Sequence, residues 1–234
     1  MCTRVSKFKV VPLGMEVFEI VGGKRLNGEI EARGSKNATT PILAATLLTQ
    51  ETCVISNLPL IEDVFCMLQI LRSMGAEVEW RGKRTVAITA QHIDPKKIDI
   101  AAVKKIRSSI LFLGALAARF DNFTFVRPGG CVIGARPIDT HRDALAKLGV
   151  LVKSEKNRYS IDARKRHAGT VVLKEFSVTG TENAMLIAAA LSGKTIIKIA
   201  ACEPHVEDLG KFLIAMGAKI KGLGTHTLEI TGAK

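Results

Sequence analysis

The chain has 234 residues, 47% of them hydrophobic and 24% charged, which is enough apolar material for one large core or two small ones. Thirty-four basic residues against 22 acidic ones leave a formal charge of +12, which favours anionic partners, while one Trp and one Tyr leave few platforms for stacking single-stranded nucleic acid. Five cysteines without a CxxC pair, and five histidines without HExxH or zinc-type spacing, exclude a disulfide framework and offer no metal site.

At the N-terminus, MCTRVSKFKVVPLG starts basic but has no sustained apolar stretch behind it. The longest apolar run, Ile110–Ala118, is far short of a bilayer span. The expectation is a cytoplasmic chain with no signal peptide and no membrane partner. EVFEIV (Glu16–Val21) alternates as a strand does. GSKN (Gly34–Asn37) then opens KNATTPILAATLL, a helix apolar nearly all round and therefore expected to be buried. ETCVISNLPLIEDV reads as a β-rich run, a turn, and Asp63 opening a second helix. That helix ends at LRSMGAEVEW, with Gly75 as its C-terminal cap and a strand beyond. TVAITA (Thr85–Ala90) alternates again.

The same paragraph then recurs twice. KKIRSS (Lys104–Ser109) opens the apolar helix IRSSILFLGALAA; NFTFVRPGGCVIGARPID leads to Asp139; LAKLGVLVKS carries Gly149. TGTEN (Thr179–Asn183) opens ENAMLIAAALSG; KTIIKIAACEPHVED leads to Asp208; LIAMGAKIKG carries Gly217. The period is about 70 residues, too long and too rich in strand for tetratricopeptide, HEAT or ankyrin repeats. Alternating strands argue against a parallel sheet buried on both faces. The economical packing is α/β with the apolar helices inside and the sheets outside.

The leading ends of the three apolar helices matter most. A helix N-terminus presents unpaired N–H groups and the positive end of a dipole. If rotation relates the repeats, these ends gather, and Lys36 and Arg107 add charge suited to phosphate. Cys131 stands on a Pro-Gly-Gly loop between Arg127 and Arg136, where it is either a small buried hydrophobe or an exposed thiol of lowered pKa. Glu182, Glu203 and Asp208 read as caps and solvated charge, and His141 as an exposed side chain behind the Asp139 cap.

GSKNATTPILAA, IRSSILFLGALAARF, RPGGCVIGARPIDTHRDALAKLG, SVTGTENAML and EPHVEDLGKFLIAMGAKIKGLGT resemble the UDP-N-acetylglucosamine 1-carboxyvinyltransferases of the EPSP synthase family, from about Val17 to Gly232. The resemblance implies an inside-out α/β barrel of three βαβαββ-type units, residues 22–90, 91–165 and 166–234, with residues 1–21 belonging to a second domain that the chain mostly lacks. It implies transfer of enolpyruvate from phosphoenolpyruvate to the 3-hydroxyl of UDP-N-acetylglucosamine with release of phosphate, the first committed step of peptidoglycan synthesis. No cofactor, metal or nucleic-acid partner is implied.

Residue by residue, the resemblance makes Cys131 the catalytic group, which protonates C3 of phosphoenolpyruvate, forms an adduct at C2, and is the sulfur that fosfomycin alkylates. It assigns Lys36, Asn37 and Arg136 to phosphoenolpyruvate. It assigns Asn37, Arg107, Arg136, Pro137, Asp139, Thr140, His141, Ser177, Val178 and Thr179 to the nucleotide sugar. Two departures stand out: the family often has Gly where Thr179 stands, and some members carry Lys where Glu175 stands, so a carboxylate faces the expected diphosphate. The family's aspartate base and a further phosphate-binding arginine match no residue here, so the chain by itself is expected to be inactive. Rival readings are a shikimate 3-phosphate acceptor, against which the Cys131 loop argues, and a non-catalytic nucleotide-sugar or nucleic-acid module. The nucleic-acid module predicts steeply salt-dependent DNA or RNA binding.

Overall fold

The computed structural model describes residues 22–23, 25–129 and 138–233. The expected strand Glu16–Val21 lies outside them, as do Cys131, Arg136 and Pro137. The chain divides into two compact units, residues 1–32 and 33–234. The described part of the first has neither helix nor strand.

In the second unit one pattern recurs three times. Helix α1 (Lys36–Ala45) leads to strand β1 (Cys53–Ile55), helix α2 (Glu62–Ser73) and the hairpin β2 (Glu77–Gly82) and β3 (Thr85–Thr89). Next come α3 (Ile100–Lys105), a 3-10 turn at Arg107–Ile110 running into α4 (Leu111–Arg119), then β4 (Asn122–Val126), α5 (Asp139–Lys147), β5 (Leu151–Ser154) and β6 (Arg158–Asp162). The third round is β7 (Thr170–Val172), α6 (Val178–Ala188), β8 (Lys194–Lys198), α7 (Pro204–Ala215), β9 (Lys219–Lys221) and β10 (Thr227–Thr231). Among the described residues the leading strand of the unit occurs in the third round, as β7. The second round has a 3-10 turn at Pro95–Lys97 instead, where Pro95 has no N–H to give a ladder.

Each round closes its own sheet, in the orders β1-β3-β2, β4-β6-β5 and β7-β8-β10-β9. All pairs are antiparallel except β7 with β8. Strand β6 buries Tyr159 and Ile161 and exposes Arg158, and β10 buries Leu228 and Ile230 between exposed threonines. Such one-sided strands cover a core and face water.

The core is the helices. Every residue of α4 from Leu111 to Ala118 is buried, as is every residue of α6 from Gly180 to Ala188. Their all-round apolarity demands it. Helix α1 packs on α4 and α7, α4 on α6, and α6 on α5 and α7. Each large aliphatic side chain sealed in this way contributes on the order of 2 kcal/mol. The glycines expected to end α2, α5 and α7 all do so in the left-handed region, with φ of 105° at Gly75, 76° at Gly149 and 104° at Gly217. Asp208 does not open α7: the cap position is Glu203, and Asp208 lies inside the helix, ion-paired with Lys211.

One close crossing fixes α4 against α6. The Gly114 N–H donates to Asn183 Oδ1 at 2.6 Å, and Asn183 Nδ2 donates to the Thr179 carbonyl at 2.9 Å. A Cβ at position 114 would lie 2.6 Å from that oxygen and 2.7 Å from the Asn183 carbonyl, so only glycine allows the approach.

Candidate functional site

The starts of α1 and α6 carry the expected residues, whereas Lys104–Ser109, expected to open the second apolar helix, ends α3 and enters a 3-10 turn, and α4 begins at Leu111. Ser35 caps α1, its Oγ accepting from the Ala38 N–H at 3.4 Å and its carbonyl from the Thr39 hydroxyl at 2.8 Å. Lys36 is therefore the first residue of a helix with no acid in its first turn. A cation there opposes the dipole and calls for a nearby anion. Asp63, in the first turn of α2, supplies one at 3.7 Å from Lys36 Nζ. Asn37 beside it is exposed.

The same carboxylate oxygen accepts from Ser108 Oγ at 3.3 Å. Asp63 thus joins the start of α1 to the turn that begins with Arg107 and feeds α4. Lys36 and the turn that starts with Arg107 meet at one carboxylate, through Ser108.

Arg107 reaches the second cluster through its field. His141, in the first turn of α5, is 5% exposed, and its Nε2 lies 2.9 Å from Thr179 Oγ1 near the start of α6. Burial first, and the Arg107 charge second, bring its pKa down to about 4, with Glu175 pulling the other way. The ring is neutral at physiological pH. Its Nδ1 is buried with no hydrogen-bond partner among the described residues. Thr140 Oγ1 donates to Glu175 Oε1 at 2.7 Å. Ser177 caps α6 by accepting from the Gly180 N–H at 3.2 Å, leaving Ser177, Val178 and Thr179 partly exposed, while Asp139 is exposed.

The described residues flanking segment 130–137 belong to the same neighbourhood. Gly129 approaches Lys104 so closely that a Cβ would sit 1.8 Å from its carbonyl oxygen, and the buried Ile138 runs straight into Asp139 and His141. The assignments to Cys131, Arg136 and Pro137 fall within that segment, outside the described residues.

The structure corrects the reading of two residues and adds to that of a third, Asp63. His141 is buried, because α5 turns it inward onto α6. Glu182 is 1% exposed and is not solvated charge: burial raises its carboxyl well above the usual range, and Glu203 adds to the effect. Asp63 is more than a helix opener, since it holds two other elements together. A signal for it was present in the acidic Glu62–Asp63 helix start on a basic chain, but its partners are distant in sequence. Among the described residues no group of His, Cys, Asp or Glu could hold a metal ion, and no helix is long and apolar enough to cross a membrane.

In chemical terms the site is a partly desolvated rim that carries Lys36 and Arg107 together with the carboxylates of Asp63, Asp139 and Glu175. Backbone donors and Lys36 suit a phosphate; the neutral His141 and the Thr179 and Thr140 hydroxyls suit a polar, uncharged ring.

Residues 20–234 match the family described as EPSP synthase (3-phosphoshikimate 1-carboxyvinyltransferase). The chain is 42% identical over 220 residues to the UDP-N-acetylglucosamine 1-carboxyvinyltransferase of Dichelobacter nodosus, covering 94% of this chain and 52% of that protein. It is 45% identical over 218 residues to UDP-N-acetylglucosamine 1-carboxyvinyltransferase 1 of Carboxydothermus hydrogenoformans, covering 93% and 51%. The chain therefore spans about half the length of the curated relatives it matches. Among solved structures, the enolpyruvyl transferase NikO of Streptomyces tendae superposes with a TM-score of 0.77 at 24% identity, over 90% of this chain and 50% of that one. EPSP synthase of Acinetobacter baumannii superposes at 0.69 with 20% identity, over 88% and 47%. These two establish the fold: an inside-out α/β barrel with helices within and sheets without.

Proposed function

The chain belongs to the EPSP synthase family, and from that membership we propose that its folded unit is the substrate-binding wall of an enolpyruvyl transferase acting on UDP-N-acetylglucosamine. The observation that carries this reading is that Asp63 links the start of α1 to the turn beginning with Arg107, while His141 of α5 meets Thr179 at the start of α6. The reaction moves the enolpyruvyl group of phosphoenolpyruvate to the sugar 3-hydroxyl and releases phosphate, a cytoplasmic step of peptidoglycan synthesis.

Lys36 and the α1 amides take the phosphoenolpyruvate phosphate, with Asn37 between the two substrates. Asp63 holds Lys36 until the phosphate competes for it. Arg107 serves the nucleotide sugar. His141, neutral and wedged between α5 and α6, sets the wall of the uridine pocket, with Asp139, Thr140, Ser177, Val178 and Thr179 beside it. Arg136 and Pro137 complete the two subsites. Cys131 protonates C3 of phosphoenolpyruvate as the sugar oxygen adds to C2; loss of a proton from C3 then expels phosphate. Fosfomycin alkylates the same sulfur.

Residues 22–234 form the three-unit transferase domain in this reading, divided at about residues 90 and 165, and residues 1–21 serve a second domain. The relatives have about twice this length, and the aspartate base and a phosphate-binding arginine match nothing here. By themselves the 234 residues bind the nucleotide sugar and do not turn over. Calorimetric titration with UDP-N-acetylglucosamine, beside an assay of phosphate release, tests both parts. Binding that is lost on Arg107→Ala, with no turnover, is expected. Absence of binding overturns the site, and sustained phosphate release overturns the division of labour.

A further inference from the structure

The three rounds of the fold share a corner where the first outer strand turns towards its second helix. In each, a backbone N–H past the strand donates to the carbonyl at a hairpin tip: Leu58 to Arg84 at 3.0 Å, Arg127 to Asn157 at 3.4 Å, Ala200 to His226 at 3.1 Å. In the first and third rounds the tip side chain answers. Arg84 Nη1 donates to the Leu58 carbonyl at 3.1 Å, and His226 Nδ1 lies 2.9 Å from the Ala200 carbonyl. A carbonyl only accepts, so Nδ1 carries the proton. Arginine spends its donors in that role; histidine keeps a second nitrogen. With Nδ1 protonated, His226 Nε2 of the neutral ring has a lone pair, and it faces Cys202 Sγ at 3.9 Å.

The surroundings hold this pair in place. Ile199 has φ of 57°, a costly value for a β-branched residue, and it turns the chain so that Cys202 faces the tip. The Phe176 ring, 60% exposed, packs on the His226 ring with centroids 4.5 Å apart. Cys202 is half-buried and lies just ahead of α7, whose first residue is Pro204. Of the other described cysteines, Cys66 is buried, and burial raises the Cys53 and Cys66 thiols. Neither of those two has an imidazole partner among the contacts described.

We propose that Cys202 and His226 form a thiol–imidazole pair that makes Cys202 a site of covalent modification by α,β-unsaturated carbonyl electrophiles. His226 Nε2 takes the thiol proton. The sulfur adds to the β-carbon, forming one C–S bond, and the π pair moves to the α-carbon as an enolate. The imidazolium returns the proton to that carbon, so nothing leaves and nothing is oxidised. The exposed face of Phe176 gives an apolar electrophile a surface to rest on. The pair shares no hydrogen bond with the Lys36–Asp63 or His141–Thr179 pair among the described contacts, although Phe176 adjoins Ser177 and the Ala201 N–H donates to Thr181 Oγ1, and its chemistry does not depend on the proposed transferase reaction.

The test is the rate of N-ethylmaleimide labelling at each cysteine, followed by peptide mass spectrometry on the full chain. Folded protein should label Cys202 at least about tenfold faster than Cys53, within the range that a positioned base supplies. His226→Gln, which keeps a donor for the Ala200 carbonyl and loses the base, should slow Cys202 to near the Cys53 rate. An unchanged Cys202 rate in a variant with an unchanged melting curve overturns the proposal. A second measurement needs no variant: wild-type chain folded and in urea at one pH. Faster labelling of Cys202 when folded supports the pair; equal or slower labelling overturns it.

Discussion

Gly114 and Asn183, 69 residues apart in sequence, are joined by a 2.6 Å hydrogen bond from a helix backbone to a side chain with no solvent exposure. The bond exists because the 3-10 turn before α4 gives way to α-helix at Leu111, which frees N–H groups of the first turn for outside partners. Gly114→Ala inserts a methyl group where 2.6 Å is available. The expected loss is about 3 kcal/mol or more, read as a lower urea midpoint. Asn183→Ala strands the Gly114 amide and should cost about 1–3 kcal/mol.

His141 makes stability depend on pH in a definite direction. Its folded pKa is about 4 against an ordinary 6.5, so between those values the unfolded chain binds the extra proton. The contribution is complete above pH 6.5 and is lost as pH falls to about 4; its size is on the order of 3 kcal/mol. Urea titrations at several pH values should show this slope in the wild type and a shallower one in His141→Asn.

Glu182 works in the opposite sense. Its folded pKa is raised, so the folded state holds a proton that the unfolded state releases as pH rises past 4.5. Stability from this group is present in acid and lost towards neutrality. Glu182→Gln keeps the shape and cannot ionise. It should raise the urea midpoint at pH 8 and leave it nearly unchanged at pH 4.

Lys36 and Asp63 are partly solvated, at 48% and 31% side-chain exposure, so their pair contributes little to stability. Lys36→Ala should shift unfolding by less than about 1 kcal/mol. Under the proposed function it should weaken phosphoenolpyruvate binding by about tenfold or more, the worth of one charge-assisted contact. Equilibrium dialysis with labelled substrate separates the two effects.

Glu175 accepts from Thr140 beside the expected diphosphate path. Glu175→Lys removes a repelling charge and adds an attracting one. UDP-N-acetylglucosamine should bind several-fold tighter, and the gain should shrink as salt is raised from low to physiological strength.

The repeat, the buried helices and the three cap glycines were legible because each is local: a period, an apolar surface, a residue after a helix. Lys36 and Arg107 were legible as charges at helix starts. What joined them was not, because Asp63 meets Lys36 and Ser108 only after three elements have packed. His141 and Glu182 were misread for a related reason. Polar residues near a helix start look like caps or solvated charge, and only the position of the neighbouring helix decides whether they face water or protein. Cys202 and His226 are 24 residues apart in an irregular corner whose geometry depends on Ile199, which no pattern of residue types announces.

Because each sheet closes within its own round while the helices meet across rounds, the order of assembly has a natural direction. Hairpins need short excursions of chain and can form early; bringing Gly114 to Asn183 encloses far more chain and should come late. In pulse-labelling hydrogen exchange, the Gly114 amide is then the clock hand for completion, gaining protection after the β5–β6 hairpin does.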